Sequence, residues 1–379
     1  MKGYFGLERE NLRITKDTGR LAQTPHPFEV DPHISKDFCE SQLELITPVA
    51  ESIDDVFAML EHYSGIILEK LFDIGETLHN YSNPPAIYSE SEIHVARFEG
   101  EDRIKEDYRY YLKDRYGLWV MLLSGIHFNF SFADDALEIL TEMYGETPDR
   151  LYLKLAAACL EHAWLIAYLT AASPVVHSTY GGRTVTAASL RCSSAGYWND
   201  FLPVLDYSDL IPYIDSIEKL VADGLIRTPW ELYLPVRLKP RGANDLRNLR
   251  SGIDHIELRM IDLNPLYSEC INKTDIIFIH LLIVFLACRP PYVFGKKAQE
   301  AAVRNMQSAS LLEDPFITDS SGKRADLKQE ALSIISEMED FFGPLDDDII
   351  REALAFQRQK LEISGERYAD RVLKLCESC

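Results

Sequence analysis

Residues 126–132, Ile-His-Phe-Asn-Phe-Ser-Phe, alternate apolar and polar without a break. Successive side chains of a strand point to opposite faces, so the segment reads as a strand with one buried face. His127, Asn129 and Ser131 then share the other face. Residues 4–14 alternate in the same way. In 231–239, Leu232, Leu234, Val236 and Leu238 oppose Glu231, Tyr233, Arg237 and Lys239. In 253–261, His255, Glu257, Arg259 and Ile261 fall on one face. Helical spacing fills much of the remainder. Asp55–His79 has Val56, Met59, Leu60, Tyr63, Ile67, Leu71 and Ile74 in register for one helix, and 150–172 reads as a single long apolar helix. Leu327, Ala331, Ile335, Met338 and Phe342 mark another; a further helix runs from about Asp346 to Lys360, and one more to the end. Strands and helices mix without a regular βαβ alternation, which favours α+β over a doubly wound sheet.

Charge narrows the function. The 60 acids against 39 Lys and Arg leave −21, which excludes nucleic acid as the main partner, because phosphate backbones need a basic surface. ATP is not excluded, since divalent cations can stand between carboxylates and phosphates. No GxGxxG and no GxxxxGK[ST] occurs, and Ser321-Gly322-Lys323 lacks the upstream glycine of a P-loop. The two most apolar stretches, 151–170 and 275–288, imply buried helices and no membrane span. The first carries Lys154, Glu161 and His162, and the second is short. The polar Met1–Glu10 has no apolar signal core, and seven cysteines are an odd number. Both imply a reduced, cytoplasmic protein. Asn272-Lys273-Thr274 is then a chance sequon, and Cys376 with Cys379 an unconstrained end.

The alternating segments carry charge where an exposed strand would not need it. Glu8 and Glu10 are two apart, so they repel on one face unless a cation lies between. Glu257 and Arg259 are flanked by Ile256, Leu258 and Met260, and His127 by Ile126 and Phe128. Asp37 and Glu44 share a helix face if that stretch is helical. Alternatively, a strand from Glu40 presents Glu40, Gln42 and Glu44. Carboxylates with one histidine form a donor set for Mg²⁺ or Mn²⁺; no HExxH or paired CxxC supports zinc. A second set is cationic and aromatic: Tyr108-Arg109-Tyr110-Tyr111, Arg191 in a small-residue loop before Tyr197, and Tyr233 with Arg237, Lys239 and Arg241. Arginine forks suit carboxylate and phosphate.

These residues, taken in order, resemble bacterial glutamate–cysteine ligase. The resemblance rests on Gly6-Leu-Glu8-Arg-Glu10-Asn-Leu-Arg13, Asp37-Phe-Cys-Glu-Ser-Gln-Leu-Glu44-Leu-Ile-Thr-Pro48, Arg115-Tyr-Gly117, Ser124-Gly-Ile-His127-Phe-Asn129-Phe-Ser131, Ala172-Ser-Pro174, Leu190-Arg191…Gly196-Tyr197, Tyr233…Arg237 and Ile256-Glu257-Leu-Arg259…Asp262-Leu-Asn-Pro265. It spans roughly residues 3–290 and is closest to the ligase half of bifunctional glutathione-synthesising enzymes. It implies a glutamine-synthetase-like, curved, mainly antiparallel sheet forming a funnel backed by helices. It implies one catalytic domain over 1–379, with a core over 1–312 and a helical extension over 323–379. The implied reaction joins the γ-carboxyl of L-glutamate to the amino group of L-cysteine at the expense of ATP. The alternatives are another amine acceptor or a non-catalytic binding homologue. The resemblance further implies Glu8, Glu10, Asp37, Glu44, His127 and Glu257 as Mg²⁺ (or Mn²⁺) ligands. Arg109 and Arg259 are implied as phosphate contacts, and Tyr108, Asn129, Arg191, Tyr197, Tyr233 and Arg237 as substrate-binding residues. An N-terminal helix common in the family and the ATP-grasp domain of the bifunctional enzymes are expected to be absent.

Overall fold

The computed structural model describes residues 2–28, 31–180, 187–290, 293–313, 315–318 and 322–377. Seven strands form one sheet: β1 (Gly3–Thr15), β2 (Ile34–Lys36), β3 (Gln42–Ile46), β4 (Glu76–His79), β5 (Gly125–Phe132), β6 (Val236–Lys239) and β7 (His255–Asp262). The order is β2-β3-β1-β5-β7-β6, with β4 paired to the end of β1, and every pairing is antiparallel. The helices are α1 (Ile53–Asp73), α2 (Arg103–Tyr116), α3 (Asp134–Tyr144), α4 (Pro148–Glu161), α5 (Ala163–Thr170), α6 (Leu210–Ala222), α7 (Leu246–Leu249), α8 (Lys273–Ala287), α9 (Lys296–Ala309), α10 (Leu327–Phe342), α11 (Asp348–Glu362) and α12 (Tyr368–Glu377). A hairpin of β8 (Phe316–Thr318) and β9 (Arg324–Asp326) lies between α9 and α10. The expected α+β class with an antiparallel sheet is what the chain forms.

The sheet has a dry face and a polar face. Leu7, Leu43, Leu45, Ile126, Phe128, Phe130, Ile256 and Leu258 join the main core with α1, α4, α5 and α8. Each such side chain contributes about 1.5–3 kcal/mol by burial. A one-residue slip would turn this set outward and drive Glu8, His127 and Glu257 against the helices, so the core fixes which face carries the site. Far from the sheet, Asp275 on α8 accepts from Gln357 (2.8 Å) and Tyr368 (2.7 Å) and pairs with Lys360. That buried node ties α11 and α12 to α8.

Four expectations change. The run to His79 is not all helix: α1 ends at Asp73, Gly75 turns the chain at φ +75°, a conformation glycine adopts without strain, and Glu76–His79 becomes β4. The helix over 150–172 is broken at His162. There the Ala158 carbonyl takes both the backbone N–H (3.1 Å) and the ring Nδ1 (2.8 Å), and α5 restarts against β7. The strand over 231–239 shrinks to Val236–Lys239, because Pro229 opens a tight turn over Pro229–Glu231 and Pro235 has no N–H for a ladder. Finally, Ile261 leaves the face of Glu257. Ile126 pairs Ile261 and Phe128 pairs Leu258, so Arg259 and Met260 together oppose His127 alone. This bulge resets the alternation and sends Ile261 into the core beside Ile126. The predicted sequon has a structural use: the Asn272 side chain caps α8 by accepting from Thr274 N at 2.7 Å. Cys376 is free, and Cys379 lies outside the described residues.

Candidate active site

Register brings the six predicted ligands into two neighbouring groups on the polar face. In the first, Glu8 on β1 stands opposite His127 on β5, and Glu257 comes from β7. Their ligand atoms lie within 4.8 Å of one another. His127 Nδ1 is 3.0 Å from Glu8 and 3.6 Å from Glu257. Asn129 donates to Glu8 at 2.9 Å. Arg259 donates to Glu257 at 2.9 Å, with Lys239 3.3 Å away. Burial opposes ionisation of Glu257, yet Arg259, Lys239 and His127 hold its carboxyl well below the ordinary range. Burial likewise opposes Glu8, but its hydrogen bond with His127 prevails and keeps it low. Burial and the Arg259 charge push His127 down to about 4, so its ring is neutral near neutral pH. The neutral ring gives Nδ1–H to Glu8, which leaves Nε2 to accept from Arg191 at 3.3 Å.

The second group is Glu10, Asp37 and Glu44. Glu10 and Glu44 are direct cross-strand partners. Asp37 comes from neither of the two readings left open for its segment. A turn after β2 carries it, closed by Asp37 N to Gln42 O at 3.0 Å, and β3 then presents Gln42 and Glu44. Glu40 turns away, accepting from the backbone of His26 and Arg97. Here the offsetting charge, from Arg191 and Arg259 on Glu10 and from Arg109 and Arg259 on Asp37, does not overcome burial. Gly125 N donates to Glu10 at 2.9 Å and Ser35 to Glu44 at 3.0 Å. Burial, then Asp37, pushes Glu10 up to about 8. Burial also raises Asp37, and burial with the charges of Glu8, Asp37 and Glu10 raises Glu44 well above the usual range.

A cavity of about 410 Å³ opens beside the second group and meets the first through Arg259, walled by Glu10, Asp37, Arg109, Arg191, Arg259 and the tyrosines 108, 197 and 233. Helix α2 supplies Tyr108 and Arg109. Arg109 is braced against the Asp37 carbonyl (2.6 Å) and lies over the Phe98 ring. Arg191 reaches in from its loop across Gly125: a Cβ there would sit 2.2 Å from the guanidinium carbon, so only glycine admits this crossing. Arg237 lines the wall but gives Nε and Nη2 to the carbonyls of Leu232 and Trp230. Asn129 lies beside Glu8, behind the cavity rather than on its wall. The Tyr197 and Tyr233 rings meet at 4.1 Å, tilted by 46°. Sequence reasoning gave no role in the site to Ser35, Gly125 or Glu231. The glycine stood in the motif before His127 and the glutamate on the polar face of 231–239, whereas Ser35 had no signal.

The arrangement fits divalent cations. Glu257 Oε2 and Asn129 Oδ1 are buried without partners, and the oxygen-rich donors of both groups suit Mg²⁺ or Mn²⁺. Among the described residues, no helix is long and apolar enough to cross a membrane.

Comparison with known proteins gives the family and the fold. The sequence model described as glutamate-cysteine ligase matches residues 1–225 and 221–309. The glutathione biosynthesis bifunctional protein GshAB of Listeria monocytogenes is 34% identical over 388 residues, covering 94% of this chain and 50% of that protein. The chain thus spans about half the length of the curated relatives it matches. A crystal structure of glutamate–cysteine ligase from Francisella tularensis in complex with AMP superposes with a TM-score of 0.92 at 23% identity, over 100% of this chain and 85% of that one. A bifunctional glutathione synthetase from Pasteurella multocida gives 0.86 at 28% identity, over 99% and 50%. The match covers the site-bearing strands β1, β3, β5 and β7 and the loops that complete the cavity, and the chain belongs to the glutamate–cysteine ligase family.

Proposed function

We propose that this cavity joins the γ-carboxyl of L-glutamate to the amino group of L-cysteine, with ATP converted to ADP and phosphate. The observation that carries the reading is the pairing of two carboxylate groups with a cavity wall that holds four arginines, Arg109, Arg191, Arg237 and Arg259. A carboxylate is a poor acyl donor, because its leaving group would be oxide. Attack by its oxygen on the terminal phosphorus of ATP releases ADP and gives γ-glutamyl phosphate. The cysteine nitrogen then attacks the acyl carbon, phosphate leaves, and the nitrogen loses a proton.

Glu8, His127 and Glu257 would hold one Mg²⁺, and Glu10, Asp37 and Glu44 another; Mn²⁺ suits the same donors. Bound there, the cations supply charge neutralisation for the polyphosphate. Arg259 meets Glu257 through Nη1 and faces the cavity, so it is placed to stabilise charge on a transferring phosphoryl group, and Arg109 stands across from it. Tyr108, Tyr197, Tyr233 and Arg191 form the acceptor side, Arg237 braces it, and Asn129 orients Glu8. The extension expected over 323–379, which opens with β9 and is helical through α10, α11 and α12 as far as Glu377, belongs to the same catalytic domain, a reading supported by the Asp275 node. A cytoplasmic setting accords with six free cysteines among the described residues. The partners are small molecules, with neither nucleic acid nor membrane.

The test is ADP release with ATP, glutamate and a panel of amines, in Mg²⁺ and in Mn²⁺. Cysteine-dependent release is expected. Its absence with intact protein refutes the reading, and release with another amine alone reassigns the acceptor.

A further inference from the structure

Glu231 is fully buried and lies outside the site cavity and, among the described residues, outside the carboxylate–histidine group of Glu8, His127 and Glu257. Its carboxylate nevertheless gathers four donors. Oε1 accepts from Tyr116 OH (2.8 Å) and Tyr111 OH (3.1 Å) and pairs with Arg115 at 2.8 Å, while Oε2 accepts from Arg227 N at 2.6 Å. Three of those donors sit on α2, the helix that carries Tyr108 and Arg109 to the cavity. Glu231 itself sits in the segment that carries Trp230, Tyr233 and Arg237 to the opposite wall. Asn199 completes the joint. Its Nδ2 donates to Glu231 O (2.7 Å) and Tyr116 OH (3.1 Å), and its Oδ1 accepts from Tyr233 N (2.9 Å).

The tyrosines divide accordingly. Tyr111 and Tyr116 have their hydroxyls bound from behind by Glu231. Each packs on a cavity tyrosine: Tyr111 is stacked on Tyr108 at 6.2 Å, and Tyr116 is edge-on to Tyr233 at 5.4 Å. The hydroxyls of Tyr108 and Tyr233, by contrast, turn toward the cavity side, where Tyr108 meets Thr228 and Tyr233, and Tyr233 meets Tyr197. One carboxylate therefore sets how closely two walls approach whose tyrosines meet each other at the cavity.

We propose that Glu231 is a positioning residue for the acceptor amino acid: it fixes the separation of the Tyr108 and Tyr233 walls without touching substrate. The proposal rests on the ligase reading for its substrate, but not for its structural content. Glu231→Gln keeps the shape but turns an amide NH₂ toward donors. In the ADP-release assay on the full chain, KM for the acceptor should rise about tenfold or more, with KM for ATP and for glutamate within about twofold of wild type. Glu231→Asp should recover part of the loss. Equal rises in all three KM values, or an unchanged acceptor KM, would overturn the proposal. Hydrogen exchange on the unliganded chain decides it without turnover. Segments 103–117 and 227–237 should lose protection together in Glu231→Gln while β1 and β7 keep theirs; no loss, or loss throughout, would refute it. A wild-type protein that releases no ADP with any acceptor sinks the ligase reading instead, and leaves the exchange result standing.

Discussion

The two carboxylate groups lie side by side on one sheet face yet have opposite electrostatic characters. Glu8, His127 and Glu257 are compensated, since Arg259, Lys239 and Asn129 reach them from β7, β6 and β5. Glu10, Asp37 and Glu44 are left open, with one backbone amide and one serine hydroxyl as hydrogen-bond donors to Glu10 and Glu44. The same residue type is held low in one group and pushed up in the other. The difference follows from strand position. The compensated group sits where two cation-bearing strands end the sheet. The open group sits where β1 and β3 set acids directly opposite each other. A protein has no folding reason to oppose buried acids this way, so the open group is where a cation does most for the fold as well as for the chemistry.

Activity should be the most sensitive measure of the contrast. Glu257→Gln removes the acid that Arg259 and Lys239 share, and we expect ADP release to fall about 10²–10³-fold, the range seen when a site loses one electrostatic contact. A variant within about threefold of wild type would remove Glu257 from the site.

Stability should split in sign. Without metal, Glu257→Gln leaves two cations facing a neutral amide in a buried setting and should lower stability by about 3 kcal/mol. Glu10→Gln relieves repulsion with Asp37 and Glu44 and should raise it by about 0.5–2 kcal/mol while still abolishing activity. Urea unfolding in EDTA reads both. Shifts of the same sign would mean that the two groups are not electrically distinct.

The pH dependence sharpens this further. Glu10 is held at about 8 in the folded state, above its ordinary 4.5. A raised carboxyl favours folding most at low pH, and that contribution is lost as pH climbs from about 4.5 to about 8. The stability gap between Glu10→Gln and wild type, measured in EDTA, should therefore widen from pH 5 to pH 8. Glu257 has the opposite sign: held low, it favours folding above its ordinary value, and the benefit is lost on acidification. The gap between wild type and Glu257→Gln should shrink below about pH 4.5.

How much of this was legible in the sequence depended on range. Alternation placed Glu8, Glu10, His127 and Glu257 on strand faces because a period of two is a local property. The bulge that sends Ile261 inward is a mismatch between β5 and β7, and neither strand shows it alone. The proline-bounded turn that buries Glu231 looked like the start of a strand, because its leucines keep the period while Pro229 and Pro235 remove the ladder. The sequence singles out Asp37 with Glu44 but leaves its placement open between helix and strand; a turn delivers it, and turns carry no periodicity. The cavity wall was the least legible part. Tyr108, Arg191 and Tyr233 come from three distant segments that meet only once the core has formed.

The smallest effect concerns the open group's own support. Ser35 donates to Glu44 at 3.0 Å from the edge strand β2, and both residues are half-buried. Outer-shell partners of metal ligands typically change affinity about 10–100-fold. Water can take the place of the lost hydroxyl here, so Ser35→Ala should weaken Mn²⁺ binding by about tenfold at most. Fold and nucleotide-free stability should be nearly unchanged. Mn²⁺ titration followed by electron paramagnetic resonance gives the comparison, with Glu44→Gln run beside it. The order expected is wild type, then Ser35→Ala, then Glu44→Gln. If neither variant moves the affinity by more than about twofold, Glu44 is no ligand. Its raised carboxyl would then report burial alone, and the open group would contract to Glu10 and Asp37.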